Sequence, residues 1–243
     1  MKKLETVLSP ALLSLTDVKN KTVVVIDILR ATSSICVAFN TGVAKILPVS
    51  TPDEAKLFKD FDFLCAAERN AEKIEGFDLG NSPKEFSNPL LADRNIAFTT
   101  TNGTKAIKLS KENGANIIAI GSFLNIETLV KWLQKQNDDV ILLCSGWKDK
   151  VNVEDTLFAG AVAIELKASF SISCDSTLLA MAAYTSVKDS LQEFILQSSH
   201  AKRFEKLGIS TDEVSTCLQL NTAPVLPLMQ GEYIINCTPQ EGM

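Results

Sequence analysis

Several apolar segments of this chain end in groups of polar side chains, and these groups hold the residues that could do chemistry. The first follows residues 23–26 and contains Asp27, Arg30 and Thr32. A buried carboxylate is costly unless a metal ion, a cation or amide donors compensate for it. An arginine offers a planar pair of donors to a phosphate or a carboxylate. The group suits an anionic ligand, and an Asp–Arg ion pair with an ordinary threonine cap explains the same residues.

The second polar group follows residues 96–98 and is a turn that leads into a predicted helix. It contains Thr101, Asn102, Gly103 and Thr104. Glycine lets the backbone approach a ligand closely, and the free amides at a helix start attract anions. A plain Asn-Gly turn with a threonine cap is the alternative. Three consecutive threonines favour a ligand, because an apolar strand rarely ends in three hydroxyl residues with nothing to bond.

Two further groups follow later strands. Ser122 and Asn125 supply hydroxyl and amide groups, whereas Glu154 and Asp155 open the helix after the last strongly apolar strand. Together with Asp27, these two carboxylates would form an oxygen-rich site for Mg²⁺. The alternative is that they only stabilise the helix N-terminus.

A long segment without clear periodicity covers residues 68–89. Loops of this length inside a compact domain are usually functional or disordered. Acid, base and amide donors close together could complete a metal and anion site, and a solvated loop is the alternative. The residues that carry these groups are Glu68, Arg69, Asp78, Asn81 and Ser82.

The composition excludes several classes of function. The chain has 243 residues, is 46% hydrophobic and 22% charged, and has a net charge of -5. It can therefore bury a substantial core. No dense group of lysines and arginines is present, which argues against binding to nucleic acid. No apolar run is as long as a membrane span, and we expect a cytoplasmic protein.

The cysteines and the single histidine predict no metal site of their own. The six cysteines are scattered without a Cys-x-x-Cys pair, which is typical of reduced thiols in a cytosolic protein. Cys144 is predicted to be a core thiol. His200 lies in a polar segment, so we predict a surface position for it, with a ligand role as the less favoured alternative.

These groups must be positioned by an alternation of strands and helices, which predicts a single α/β domain over residues 1–243. The expected architecture is a three-layer α/β/α sandwich around a mostly parallel sheet, and a mixed sheet is the alternative. The C-terminal part is expected to be helical. Strands are predicted near 22–28, 45–49 and 63–66, and a last strand at 224–229 or 233–236. Helices are predicted at 33–40, 175–187, 188–206 and 211–219. Strand–helix units are predicted at 96–111, 117–136 and 140–167.

Several sequence strings, taken in order, resemble the 2-phosphosulfolactate phosphatase family. They cover residues 23–32, 68–69, 76–83, 99–104, 121–125, 154–156 and 212–220. The resemblance implies a Mg²⁺-dependent phosphatase with an α/β/α fold. Its implied reaction converts (2R)-phospho-3-sulfolactate to sulfolactate and phosphate, a step toward coenzyme M.

The chain differs from this pattern around Glu68 and Arg69. It carries Ala67, Asn70 and Ala71 where many members have glycines. This difference leaves two other functions open. One is a phosphatase of another small phosphorylated carboxylic acid, and the other is a non-catalytic protein that binds anions.

Expected roles follow for each polar group. Catalysis is assigned to Asp27, Arg30, Glu154 and Asp155. Mg²⁺ is assigned to Asp27 with Glu154 or Asp155, and with Asp78. Phosphate is assigned to Arg30, Thr32, Gly103 and Thr104, and the sulfonate or carboxylate end to Arg69, Asn81 and Ser82. Further substrate contacts are assigned to Glu68, Thr101, Asn102, Ser122 and Asn125. The nucleophile is either a metal-activated water or Asp27.

Exposed apolar residues of the C-terminal helices are compatible with a homodimer.

Overall fold

The computed structural model describes residues 1–239, in which helices cover both faces of a sheet of eleven strands. The strands are β1 (Lys2–Val7), β2 (Thr22–Ile26), β3 (Lys45–Pro48), β4 (Phe63–Arg69), β5 (Glu72–Lys73), β6 (Asn95–Thr99), β7 (Ile117–Gly121), β8 (Val140–Cys144), β9 (Phe170–Ile172), β10 (Pro227–Gln230) and β11 (Tyr233–Asn236).

The α-helices follow the strands along the chain, and short 3₁₀ turns join several of them. They are α1 (Ala31–Asn40), α2 (Pro52–Leu57), α3 (Pro83–Phe86), α4 (Gly103–Glu112), α5 (Ile126–Lys135), α6 (Val153–Leu166), α7 (Asp175–Val187), α8 (Leu191–Leu196), α9 (Ser199–Lys206) and α10 (Thr211–Cys217).

The sheet consists of two parallel sets joined by a hairpin. Its strand order is β5-β4-β6-β3-β11-β10-β7-β2-β8-β1-β9. Strands β4, β6 and β3 are parallel neighbours, and so are β7, β2, β8, β1 and β9. The hairpin β10–β11 separates the sets by three successive antiparallel pairings, and a single residue pair links it to each set. The α/β class and the mostly parallel, mixed sheet are therefore confirmed.

Strand β2 explains why helices lie on both faces. All five of its residues are buried, as expected for a β-branched strand at the centre of a parallel set. Val23 and Val25 share a cluster with residues of α1 and α4, and this cluster also includes β3 and β6. Val24 and Ile26 face the opposite side, where they pack with α5 and α6. The segment after β2 is thus held between two layers of helices.

Some elements differ from the sequence prediction. Strands β1 and β9 were not predicted, although β1 pairs with both β8 and β9. The region 68–89 was predicted as a loop, but it holds the end of β4, strand β5 and helix α3. Both alternatives for the last strand are present, as the two arms of the hairpin.

Two predictions from composition can be compared with the fold. All six cysteines are free, and Cys144 is fully buried at the end of β8, which confirms its assignment as a core thiol. Among residues 1–239, no helix combines the length and the apolar character needed to cross a bilayer.

Candidate active site

A narrow, polar cavity lies where the segments after β2, β4, β6 and β8 meet helix α9. Arg30 joins two of these segments directly, because its Nη2 donates a hydrogen bond to the carbonyl oxygen of Ala71 at 2.8 Å. Its polar lining residues are Asp27, Arg30, Glu68, Asn81, Thr101, Asn102, His200 and Arg203.

Asp27 lies between the end of β2 and the start of α1, and its side chain is buried. Its Oδ1 accepts a long hydrogen bond of 3.4 Å from the amide of Ala31, and its own amide donates to Thr32 Oγ1 at 3.1 Å. Burial raises the pKa of Asp27 from 3.8 to about 6, an effect that the nearby His200 partly opposes. Asp27 therefore changes charge near neutral pH while it faces the cavity.

Helix α4 begins against this carboxylate. A Cβ atom at Gly103 would lie 2.7 Å from Ala31 Cβ and 2.9 Å from Asp27 Oδ2, so only glycine fits there. Thr104 Oγ1 donates to the carbonyl oxygen of Thr100 at 2.9 Å, which fixes the turn that leads into the helix. The structure thus places the N-terminus of α4 beside Asp27, as the turn predicted.

Arg30 is buried, and its guanidinium lines the cavity. Nη1 pairs with Glu213 Oε2, and Cζ lies 5.1 Å from the centre of the Phe204 ring. The second oxygen of Glu213 accepts a hydrogen bond from Ser82 Oγ at 2.8 Å. Because an arginine has five N–H donors, these contacts orient the guanidinium and leave donors for a ligand.

Asp155 is fully buried and acts as an anchor between two strand ends. Its Oδ1 accepts from the amide of Ile28 at 2.9 Å, and its Oδ2 accepts from the amide of Gly146 at 3.1 Å. Burial, with the nearby charges of Asp27 and Glu154, raises the pKa of Asp155 well above its ordinary value. Each of its oxygens accepts a hydrogen bond from a backbone amide, so Asp155 ties the segments after β2 and β8 together.

Glu154 and His200 form a second buried pair. Glu154 is fully buried, and its Oε1 lies 2.6 Å from His200 Nδ1 and accepts from Asn152 Nδ2 at 3.1 Å. The His200 ring packs edge-on against Phe204, with 4.8 Å between the ring centres. The prediction of a surface histidine was wrong, since only 9% of this side chain is exposed. Oε1 of Glu154 is engaged by His200, whereas its Oε2 is buried without a hydrogen-bond partner among residues 1–239.

Arg203 is the second arginine of the cavity. Its Cζ lies 4.7 Å from the centre of the Trp147 ring, and Lys148 Nζ approaches the same ring at 4.7 Å. Stacking on the indole holds the guanidinium of Arg203 in place at the cavity wall. The cavity therefore has two positioned arginines.

Several oxygen donors line the cavity together with Asp27. Within residues 1–239, the buried side-chain oxygens Asn81 Oδ1 and Thr101 Oγ1 have no hydrogen-bond partner. Both residues line the cavity together with the carboxylates of Asp27 and Glu68. Hard oxygen donors are the ligands that Mg²⁺ prefers, and it commonly uses one or two carboxylates with substrate phosphate and water. In residues 1–239 no three acidic, histidine or cysteine side chains lie close enough together to hold a metal ion by themselves.

Comparison with known proteins gives a consistent result across the chain. The family model described as 2-phosphosulpholactate phosphatase matches residues 7–232. The chain belongs to the 2-phosphosulfolactate phosphatase family. This confirms the resemblance found in the sequence strings, and membership makes the chain a phosphoric monoester hydrolase, as predicted.

Individual members of the 2-phosphosulfolactate phosphatase family are similar over nearly their whole length. Proteins named "Probable 2-phosphosulfolactate phosphatase" are 38% identical in Caldanaerobacter subterraneus subsp. tengcongensis and 39% identical in Thermotoga petrophila. The first match covers 90% of this chain and 91% of the relative, and the second covers 91% and 95%. A relative in Clostridium acetobutylicum is 36% identical, over 82% of this chain and 86% of its own length.

Within this family fold, six of the sixteen residues that the sequence singled out line the cavity, and the residues predicted after β7 and β8 do not. The six come from the polar groups after β2 and β6 and from the region 68–89. Those residues are Asp27, Arg30, Glu68, Asn81, Thr101 and Asn102.

Other expected residues lie elsewhere. Asp78 is exposed, its Oδ2 accepts from the amide of Cys65 at 2.8 Å, and it lies 3.8 Å from Lys59, so the structure does not support it as a metal ligand. Ser122 Oγ lies 3.0 Å from Ser33 Oγ, deep in the core rather than at the cavity.

Asn125 is also a core residue and makes only backbone contacts. Its Nδ2 donates to the carbonyl oxygens of Ile120 at 3.1 Å and Val225 at 3.0 Å, so it ties β7 to the segment before the hairpin. Arg69 lies in a neighbouring groove, where its guanidinium donates to the carbonyl oxygen of Glu68 at 2.6 Å and to Thr99 Oγ1 at 3.3 Å. Neither residue lines the cavity.

Helix α9 carries cavity residues that the sequence did not predict, apart from the less favoured ligand role for His200. His200, Arg203 and Phe204 all face the cavity from this helix. Their spacing of three and four residues, which places them on one helix face, is the signal that could have identified them.

Proposed function

We propose that this chain hydrolyses (2R)-phospho-3-sulfolactate to 3-sulfolactate and phosphate, with Mg²⁺ as its cofactor. The observation that carries this proposal is the meeting of Asp27, Arg30 and Arg203 in one cavity of a 2-phosphosulfolactate phosphatase family member. The proposed pathway is the one toward coenzyme M, and the proposed location is the cytoplasm, where six free thiols stay reduced.

The substrate carries a phosphate, a sulfonate and a carboxylate, roughly four negative charges if the phosphate is nearly dianionic. A protein with a net charge of -5 needs local cations to bind it. Arg30 is placed near Asp27 and would hold the phosphate together with the N-terminus of α4. Arg203, held against Trp147, would bind the sulfonate or carboxylate end. In this assignment Arg203 replaces Arg69, which lies outside the cavity.

The donor set around Asp27 fits Mg²⁺. Asp27 and Glu68 would hold the ion, with the free amide oxygen of Asn81 as a further donor. When bound, the ion would neutralise charge on the phosphoryl group and favour ionisation of a bound water. This assignment moves the site away from Asp78, Glu154 and Asp155.

Asp27 is the group that would act on the phosphorus. Its carboxylate is ionised above pH 6, since its pKa is about 6. It would either accept a proton from the attacking water or attack the phosphorus itself to form an aspartyl phosphate. Rapid quenching with labelled substrate distinguishes these routes, because only the second leaves label on Asp27.

A phosphate-release assay tests the proposal. We expect release from (2R)-phospho-3-sulfolactate in the presence of Mg²⁺, loss of release with EDTA, and recovery when excess Mg²⁺ is added. Asp27→Asn should abolish release, whereas Asp53→Asn, at a side chain that is 96% exposed, should behave as the wild type.

A substrate panel tests the acid end of the ligand. It compares phosphosulfolactate with phospholactate and phosphoglycolate, which lack the sulfonate. A preference for the last two would assign the chain to another small phosphorylated carboxylic acid. Tight binding of these anions without any phosphate release would indicate a non-catalytic binding protein and contradict the proposal.

A further inference from the structure

Glu154 and His200 form a buried pair that the proposed binding of phosphate and Mg²⁺ does not use. Glu154 has no solvent exposure, and no group in residues 1–239 forms a hydrogen bond with its Oε2. A buried carboxylate with an unpartnered oxygen is costly, so its presence calls for a reason other than stability. Its Oε1 lies 2.6 Å from His200 Nδ1.

The pair fixes which nitrogen of His200 is available. A carboxylate is an acceptor, so the nitrogen that contacts it, Nδ1, carries the proton. His200 also lines the cavity, and its ring is held edge-on by Phe204. With Nδ1 facing Glu154, Nε2 is the ring nitrogen left for a ligand, and in the imidazolium form of His200 it too carries a proton. Carboxylate–histidine pairs of this geometry orient an imidazole for proton transfer.

We propose that His200, oriented by Glu154, is the general acid that protonates the leaving oxygen of the substrate. This inference rests on the proposed function, because it assigns a role in the same cavity. The leaving group of an alkyl phosphate is a strongly basic alkoxide, which leaves slowly unless a proton reaches it. General acid catalysis commonly accelerates such steps by about 10²- to 10⁴-fold.

The step balances with either nucleophile. The bond between phosphorus and the alkyl oxygen breaks, its electron pair goes to that oxygen, and the oxygen takes the proton from His200 Nε2. A new phosphorus–oxygen bond forms to water or to Asp27. The water that ends in the phosphate loses the proton that restores Nε2, directly or through Asp27 and solvent.

Two substitutions of His200 separate proton transfer from structure. In His200→Asn the amide nitrogen can replace Nδ1 and keep the contact with Glu154, but it cannot transfer a proton. We expect kcat for an alkyl phosphate to fall by about 10²-fold or more, with KM changed by less than about threefold. His200→Gln places an amide near Nε2 and should lose kcat to a similar extent. Circular dichroism and the unfolding midpoint check that each variant is folded.

The leaving group provides a readout that a purely structural role would not change. For 2,4-dinitrophenyl phosphate, whose leaving group needs no proton, His200→Asn should lose less than about tenfold in kcat. An equal loss with both substrates would overturn the proposal, and so would a kcat for the alkyl phosphate within threefold of the wild type. If the wild type has no turnover with 2,4-dinitrophenyl phosphate, the kcat criterion with the alkyl phosphate decides alone.

Glu154 is a positioning residue in this proposal, and its own variant completes the test. Glu154→Gln should lower kcat for the alkyl phosphate while the dinitrophenyl substrate changes little, the same pattern as for His200 but smaller. Any alkyl phosphate that the wild type hydrolyses can serve in these assays. Wild-type inactivity toward phosphosulfolactate therefore contradicts the proposed substrate, whereas the variants alone decide the role of His200.

Discussion

Arg30 and Glu213 form an ion pair that joins the segment after β2 to helix α10, across 183 residues of sequence. The arginine is almost completely buried, and about a quarter of the glutamate side chain is exposed. Through this pair the C-terminal helices fix the orientation of a cavity cation, and Ser82 strengthens the arrangement from the other side of the carboxylate. The helical C-terminal part is thus a component of the site as well as of the core.

Glu213→Gln should lower both stability and activity, because it leaves the buried guanidinium of Arg30 without its charged partner. We expect the free energy of unfolding to fall by about 1–3 kcal/mol, less than for a fully buried pair because Glu213 is partly solvated. Urea denaturation measures this. The control is Glu232→Gln, which breaks an exposed pair with Lys111 and should cost less than about 1 kcal/mol. Equal effects of the two substitutions would contradict the assignment.

Asp27→Asn should stabilise the protein at high pH while it removes activity. The pKa of Asp27 is about 6 in the folded state against 3.8 ordinarily, so between these values the folded state binds more protons than the unfolded state. The free energy of unfolding of the wild type therefore falls as pH rises from about 4 to about 6, by up to about 3 kcal/mol. Asp27→Asn has no carboxyl group at this position, so its free energy of unfolding should not show this decrease.

Thermal unfolding in EDTA at pH 4, 6 and 8 measures the effect of Asp27→Asn. The variant should unfold at a higher temperature than the wild type at pH 8, and the difference should disappear near pH 4. If the difference in unfolding temperature between the variant and the wild type does not depend on pH, burial does not raise the pKa of Asp27.

Gly103→Ala should disturb the start of α4, because the added methyl group would collide with Ala31 Cβ and Asp27 Oδ2. Neither neighbour can move freely, since one is on α1 and the other is buried. We expect a loss of about 1–3 kcal/mol in the free energy of unfolding and a fall in kcat. Lys108→Ala, at an exposed position of the same helix, is the control and should change neither quantity appreciably.

Ala71→Gly should raise stability. Ala71 has a φ of 69°, a left-handed conformation that costs a residue with a side chain about 1–2 kcal/mol. Glycine removes this cost but adds about 0.5–1 kcal/mol of unfolded-state entropy, so the net gain is up to about 1.5 kcal/mol. Ala92→Gly, at an ordinary φ of -55°, should do the opposite and destabilise. A loss of stability in Ala71→Gly would contradict the expected strain.

The sequence predicted the central strands and the turns after them because these are local features. β2 is a run of β-branched residues, and the turns at Asp27 and Gly103 carry their own polar groups. β1 escaped prediction because Lys2, Lys3 and Glu5 break its apolar pattern. That strand lies near one edge of the sheet, where polar side chains reach solvent.

The site was harder to predict because burial there depends on distant partners. His200 lies in a helix whose sequence is typical of a surface, and the contact that buries it comes from Glu154, 46 residues earlier. Asp155 likewise looked like a helix-start charge, but its partners are amides after β2 and β8. Local pattern identifies which residues are polar, and only the long-range packing decides which of them share a cavity.

The hairpin β10–β11 lies in the middle of the strand order although it comes last among the strands. During synthesis on the ribosome, the two parallel sets can each assemble early, but the strands that join them emerge only with residues 227–236. The edges of the two sets at β3 and β7 therefore stay unpaired until residues 227–236 have been synthesised. A chain that stalls before this point would expose those edges to pairing with other nascent chains.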